Sequence, residues 1–376
     1  MTLWRGEVDE RFAPVADAFS ENFRSRGERG AAVCVFVDGE VVVDLVGGDA
    51  DSSGERPWAV ETIVDFYSVG KALIGLLLLQ QVDRGLIGLD DPIAEIWPDF
   101  AAAGKEKATI RMALCHRAGV PAIHETLTNE DLFDFDVMTA ALAATAPWFE
   151  PGSRHAYHTN TYGHLIGELL RRTAGVMPGE AMAALAGSLN ADVFFGVPTS
   201  EQARCAEVQW SSSFDSSGID LRGLQGDDLM VPMSYFNPPG YSSIGVVNST
   251  AWRSSEIPST SGHGSARGVA TIYAALLEPG RLLSAGLLAE ASSVQSAGYC
   301  PVLGEEVAFG LGFKPSTRRR PFGPNEGAFG HFGTGGSLGF CDPVAKVAFG
   351  YVMNDVIPRW QSSRNRALID AVYRSL

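Results

Sequence analysis

The sequence predicts a mixed α/β (α+β) fold in which early strands pair with late ones across a long helical insertion. Three observations carry that expectation. Ala31–Val37 and Glu40–Val46 are apolar, β-branched runs separated only by Asp38-Gly39, a strong hairpin signal because both turn positions tolerate a positive φ. From Asp90 to about Gly187 the chain is rich in alanine and leucine, with helix punctuation and little strand character. From Phe309 to Met353 it is strand-rich again, so the first hairpin must find partners near the C-terminus.

In chain order, Glu10 to Phe23 reads as an amphipathic helix and precedes the hairpin. Thr62–Tyr67 is a connection leading into Ser68-Val69-Gly70-Lys71, and the run Ala72–Leu79 after it is apolar enough for a buried helix. The segment from about Ser211 to Ser261 is rich in Ser, Gly, Pro and Asn and reads as long irregular loops that wall a pocket. Gly268–Leu277 is a helix, and Trp360 to Tyr373 closes the chain as another. At 376 residues the chain exceeds one usual core. Two packed domains are expected: a discontinuous sheet domain, 1–88 with 255–376, and a mainly helical domain with pocket-forming loops, 89–254.

Ser68 and Lys71 carry the clearest chemistry. Three apart, they share one face of a helix, and Ser68 falls at its first turn, where backbone N–H groups favour a developing negative charge. A hydroxyl becomes a nucleophile only when something takes its proton, and a desolvated lysine can do so. Free lysine titrates at about 10.4, so Lys71 must be buried or crowded by positive charge to act as a base. A second segment, Gly152–Gly163, contains Tyr157, Thr159 and Asn160 and leads into the amphipathic His164–Arg172; a third, Phe329–Phe340, contains His331-Phe332-Gly333-Thr334 and is followed by the strand-like Val344–Met353.

In order and approximate spacing these three segments resemble the serine β-lactamase and penicillin-binding-protein superfamily, in which S-x-x-K is followed by a tyrosine motif and then by K-T-G or a variant on a strand. Within it the resemblance is to the family VIII carboxylesterases, its cytosolic esterase branch. Leu89-Asp90-Asp91-Pro92, Thr109–Gly119 and Trp148–Gly152 extend it over nearly the whole chain. The resemblance implies a β-lactamase-like fold, an antiparallel sheet flanked by helices beside an all-helical domain, with the site in the cleft between. It implies Ser68 as nucleophile, Lys71 and Tyr157 as the proton-handling groups, and an oxyanion hole from the backbone N–H groups of Ser68 and of Thr334, on the edge strand. An adjacent Lys71 ammonium would lower the pKa of the Tyr157 phenol.

The sequence departs from the family pattern twice. Thr159 stands where Y-x-N has its asparagine, and Asn160 follows. His331 replaces the K-T-G lysine; histidine is mostly neutral at pH 7, so selection for an acidic substrate is expected to be weaker. His331, Gly333 and Asn160 are expected to line the substrate site. The aromatics Trp210, Tyr235, Phe236, Tyr241 and Trp252 point to an apolar pocket, with Tyr241 and Trp252 as substrate contacts. Gly335–Gly339 matches G-x-S-x-G, yet a strand follows it and no histidine lies beyond His331, so Ser337 reads as part of a tight turn. Tyr162 reads as a core residue.

The formal charge of −15 and the lack of a basic block exclude a nucleic-acid partner; Arg318-Arg319-Arg320 reads as a solvated loop. The N-terminal residues hold no apolar core of signal-peptide length, and no apolar run reaches transmembrane length, so no membrane partner is expected. Five cysteines without paired spacing point to a reducing, cytoplasmic location. No H-E-x-x-H or comparable ligand spacing occurs, so neither metal nor cofactor is expected. The expected partner is a small-molecule carboxylic ester, small to medium in size, and homo-oligomerisation stays open. An acyltransferase with the same acyl-enzyme, a β-lactamase or D-Ala-D-Ala peptidase, and a non-catalytic scaffold are the rival readings.

Overall fold

Seven strands drawn from the two ends of the chain build one antiparallel sheet. They are β1 (Trp4–Val8), β2 (Gly30–Val37), β3 (Glu40–Gly48), β4 (Lys314–Pro315), β5 (Phe329–Phe332), β6 (Leu338–Asp342) and β7 (Val347–Met353), in the order β1-β3-β2-β7-β6-β5-β4. The structure, a computed structural model, describes residues 3–210, 221–357 and 361–376. β2 and β3 close through Asp38 and Gly39, at φ 50° and 87°, the two left-handed positions a tight hairpin turn requires. β7 then joins β2, with Tyr351 opposite Val33, and so links the two ends of the chain.

Both faces of the sheet are covered, which explains why β2 reads as an unbroken apolar run. Val33, Val35, Phe349 and Tyr351 face α1 (Ala13–Ser25) and the C-terminal helix Ser363–Ser375. Their alternate neighbours Ala32, Cys34, Ala348 and Val352 point the other way, into the larger core. There the helix Ala266–Leu277 lies so close that a Cβ on Gly350 would be 2.2 Å from the Ala266 carbonyl oxygen.

In the same core runs α2 (Val69–Asp83), apolar nearly all round and buried nearly all round. It packs on α3 (Thr161–Ala174). A Cβ at Gly75 of α2 would meet the Cα of Gly312 at 2.8 Å, so helix and loop touch backbone to backbone. A ladder of Val64–Asp65, His263–Gly264 and Val193–Phe194 fixes the chain just before α2.

Three expectations need correction. The segment expected to be irregular holds a helix, Gly226–Phe236, that runs through Pro232; Asp227 and Asp228 suit its first turn, and Met230 and Met233 are buried. Residues 211–220 lie outside the described residues. The closing helix starts at Ser363, where Ser362 and Asn365 form a capping box, and Trp360 lies outside the described residues. The outermost strand beside β5 is β4, but β4 pairs only with Phe329 and Gly330, so the His331–Phe332 end of β5 runs past it. Among the described residues no helix is long and apolar enough to cross a membrane.

Candidate active site

Ser68 is presented by a sharp turn. The chain leaves the short strand at Asp65, passes Tyr67 at φ 52°, and enters α2 with Ser68 as its N-cap. A non-glycine residue in the left-handed region costs on the order of 1–3 kcal/mol and persists only where its surroundings enforce it. Here they do. Asp65 accepts the Tyr67 N–H at 2.7 Å and the Trp252 indole N–H at 2.8 Å. The Phe66 carbonyl accepts the Ser337 hydroxyl at 2.8 Å, and its N–H donates to Gly262 at 2.9 Å. Burial pushes the Asp65 carboxyl up to about 8, while these two N–H donors act the other way.

Lys71 lies one turn into α2 and is fully buried. Its Nζ is 3.0 Å from Ser68 Oγ and also contacts the carbonyl oxygens of Thr159 and, at 2.9 Å, Ser259. No carboxylate is among these partners. Burial first, and then the charge of Lys314, hold the Lys71 amine well below the ordinary lysine range.

The Tyr157 ring sits 4.8 Å from Lys71 Nζ and stacks on Phe309 at 5.8 Å between centroids and 7° between planes. The expected lowering of its pKa does not occur: burial holds the phenol well above its ordinary value, and only the Ser68 hydroxyl beside it acts in the opposite direction. The reason is burial, which penalises the charged phenolate more than its neighbours favour it.

Behind Tyr157, His331 stacks at 6.3 Å, is buried, and has Nδ1 2.7 Å from the Phe332 carbonyl oxygen. Burial, then Lys314 and Lys71, keep its imidazole neutral.

A cavity of about 450 Å³ opens on Ser68, Tyr157, Thr159, Asn160 and Thr334. Trp210, Tyr235, Phe236, Ile244 and Leu303 give it apolar walls, and Tyr67, Ser242, Thr260, Glu305, Arg320 and Gln361 complete it. Thus Ser68, Tyr157, Asn160 and Thr334 come together on one cavity, with Lys71 directly beneath. Asn160 holds its place by donating to the Ser234 carbonyl at 3.1 Å and the Ser242 hydroxyl at 3.2 Å.

Four expected substrate contacts fall elsewhere. Tyr241 is buried with its hydroxyl 2.6 Å from His164 Nδ1, and Trp252 is buried on Asp65; their apolar bulk serves the core, not the cavity wall. His331 stands behind Tyr157, and Gly333 sits in the turn whose Gly333 N–H bonds the Ser337 carbonyl. A Cβ at Gly333 would meet Ser337 Oγ at 2.0 Å and the Phe66 carbonyl oxygen at 2.4 Å.

Two features were missed: Lys314, and the pairing of Glu305 with Arg319 and Arg320. Lys314 on β4 is buried with its Nζ 4.3 Å from the Phe309 ring centroid. In the Arg318–Arg320 run Arg318 and Arg319 are exposed, as a solvated loop implies, while Arg320 is half-buried; Arg319 and Arg320 both pair with the nearly buried Glu305. The only available signal for Lys314 was a lysine set in the apolar Phe309–Phe313 surroundings.

A buried serine–lysine pair thus stands at a helix N-terminus, beside a tyrosine and open to a cavity. A Beta-lactamase family model matches residues 15–374, and the chain belongs to that family of β-lactamase-like hydrolases. Among curated proteins it is similar to the esterase/beta-lactamase LipL of Mycobacterium tuberculosis (strain ATCC 25618 / H37Rv), at 31% identity over 360 residues, spanning 94% of this chain and 83% of LipL. Among solved structures it is similar to a family VIII carboxylesterase, with a TM-score of 0.90 and 35% identity over 99% of this chain and 100% of that one. A penicillin-binding-protein homologue from Caulobacter crescentus matches with the same TM-score, identity and coverage.

Proposed function

We propose that the protein is a carboxylesterase that hydrolyses small to medium carboxylic esters through an acyl-enzyme on Ser68. The observation that carries this is the 3.0 Å contact between Lys71 Nζ and Ser68 Oγ at the floor of the cavity. In the neutral amine the two N–H bonds donate to the Thr159 and Ser259 carbonyls, which leaves the lone pair to accept the serine proton. Oγ attacks the ester carbonyl, and the oxyanion is held by the N–H groups of Ser68 and Thr334, aided by the α2 dipole. Tyr157, kept protonated by burial, hands a proton to the leaving alkoxide and recovers one from the water that releases the acid. The family VIII carboxylesterase similarity supports the ester as substrate, as do the apolar walls. The five cysteines, all buried and free, support a reducing compartment, the cytoplasm.

The test is intact-protein mass after incubation with a fluorophosphonate, on the unmodified protein and on Ser68→Ala, with p-nitrophenyl acetate and butyrate turnover in parallel. One adduct and measurable turnover, both lost in Ser68→Ala, are expected. Labelling that survives the substitution, or turnover that does, would refute the assignment.

A further inference from the structure

We propose that a second cavity, held between Arg117 and His155, binds a small carboxylate. Its volume is about 420 Å³, and three stretches of chain enclose it: Arg117, Ser153–His155 and Gln295–Tyr299. No residue lines both this cavity and the one over Ser68.

Arg117 supplies the charge. Its Nη2 donates to the Gly152 carbonyl, and among the described residues no carboxylate lies within ion-pair distance of it. The acids close by are engaged elsewhere: Asp227 binds Arg154 at 2.6 Å, and Glu290 binds Arg111 at 2.6 Å. A single carbonyl leaves most of the guanidinium N–H donors unused, in a planar fork that suits a carboxylate. The backbone beneath is fixed, since the Arg117 N–H donates to the Met112 carbonyl at 2.6 Å and the Arg117 carbonyl accepts from Gly152 at 2.9 Å.

His155 supplies the second contact. It is 5% exposed, and its Nε2 has no hydrogen-bond partner among the described residues. A polar atom left unpaired at that depth calls for a ligand. Burial first, then Lys314 and Arg117, hold the imidazole below its ordinary range, while the Gly298 carbonyl and the exposed Glu306 act the other way. Arg154, next along the chain, is offset by Asp227. A carboxylate seated here screens the Arg117 charge and accepts from Nε2, so the ring takes up a proton from solvent as the ligand binds. Arg117, the protonated His155 and Glu306 then sum to +1, which a monoanion neutralises and a dianion oversteps.

The cavity also adjoins the proton-handling tyrosine. Tyr157 stacks on Phe309, and His155 meets the same ring at 5.4 Å and 84°. The Tyr157 N–H donates to Cys300 Sγ at 3.2 Å, at the end of the strand Ser296–Cys300 that walls the cavity. Ester hydrolysis releases a carboxylate, so the acid product returns to this second site and lowers turnover through Phe309 and Cys300. That role rests on the esterase reading above; the binding site does not.

The experiment titrates benzoate into the unmodified protein, Arg117→Gln, Arg117→Lys and His155→Gln by calorimetry, in two buffers of different ionisation enthalpy. Benzamide serves as the neutral counterpart and inorganic phosphate as the rival anion. Benzoate is expected to bind with uptake of about one proton, and benzamide not to bind. Affinity should fall about tenfold or more in Arg117→Gln and be partly kept in Arg117→Lys, and the proton uptake should vanish in His155→Gln. Benzoate should lower kcat for p-nitrophenyl butyrate in the unmodified protein and not in Arg117→Gln. Should Arg117→Gln not fold, the benzamide comparison and His155→Gln decide. Benzoate binding that Arg117→Gln leaves unchanged, phosphate bound in preference to benzoate, or purely competitive inhibition would overturn the proposal. Ester turnover without benzoate binding would remove the site and leave the esterase standing. Arg117-dependent benzoate binding by a protein that turns over no ester would support the site and overturn the esterase reading.

Discussion

Lys71 Nζ stands 3.0 Å from Ser68 Oγ, and its other two partners are the backbone carbonyls of Thr159 and Ser259. With no carboxylate to pair with, the amine is better accommodated neutral than charged, and a neutral amine beside a hydroxyl is a base. The arrangement is costly to the fold, since it buries a polar head group in an apolar helix. Replacing Lys71 with methionine is therefore expected to separate function from stability. Turnover of p-nitrophenyl butyrate should fall by about 10³-fold or more, while the melting temperature holds or rises. Loss of activity together with a collapse of the melting temperature would instead make Lys71 a structural residue.

Tyr157→Phe keeps the ring that stacks on Phe309 and removes only the hydroxyl. The fold should be retained, kcat should drop by about 10²- to 10⁴-fold, and KM should move little. A change confined to KM would assign the phenol to substrate binding alone.

What was legible in the sequence was what is local. Ser68 and Lys71 are bound to share a helix face by their spacing, and Asp38-Gly39 dictates its own turn, so both could be read without knowing any distant contact. The strain at Tyr67 could not be read, because it is enforced by Asp65, Gly262 and Ser337, which meet only in the folded chain. Tyr241 and Trp252 were misplaced for a related reason. Aromatic content says that a segment will bury surface, and only tertiary packing decides whether that surface faces a ligand or the core. Arg320 is the converse case: three consecutive arginines suggest solvent, and Arg318 and Arg319 do stay exposed, but Glu305, fifteen residues earlier, draws Arg320 partly inward.

Lys314 gives the pH dependence. It is buried, it stands over Phe309, and burial lowers its amine to about 7. The groups whose fields it shares are Lys71, His331, His116, His155, Cys300, Glu305 and Arg320. Below its pKa it is charged and disfavours a proton on Lys71. In Lys314→Met that opposition is gone, so Lys71 takes up its proton at higher pH and the acidic limb of kcat/KM moves upward; Lys314→Arg should leave the limb near its original position. Stability carries the opposite mark. The unfolded lysine holds its proton up to about 10.5 and the folded one only to about 7, so the destabilisation is full below about 7 and vanishes as pH rises through the window between them. Denaturant midpoints from pH 6 to 10 should rise in the unmodified protein and be flatter in Lys314→Met. Coincident pH–rate profiles for the two proteins would remove Lys314 from the electrostatics of the site.

Gly70 and Gly187 make a paired test of whether the backbone near the site is packed as tightly as the distances imply. A Cβ at Gly70 would lie 2.0 Å from the Pro258 carbonyl oxygen and 3.2 Å from Phe66 Cε2. The Pro258 carbonyl cannot retreat freely, because the neighbouring Ser259 carbonyl accepts from Lys71 and the Ser259 hydroxyl donates to the Asn160 carbonyl at 2.6 Å. Gly70→Ala should thus cost about 1–3 kcal/mol in denaturant-induced unfolding, and should lower activity because moving the Pro258 carbonyl shifts the adjoining Ser259 carbonyl that contacts the amine. Gly187, inside the helix Pro178–Leu189, has nothing within 4 Å of the position its Cβ would take. There the same substitution relieves only backbone entropy, and Gly187→Ala should stabilise the protein by about 0.5–1 kcal/mol without touching turnover. Equal effects at the two positions would mean that the 258–259 segment yields, and that Lys71 is not held by a rigid cradle.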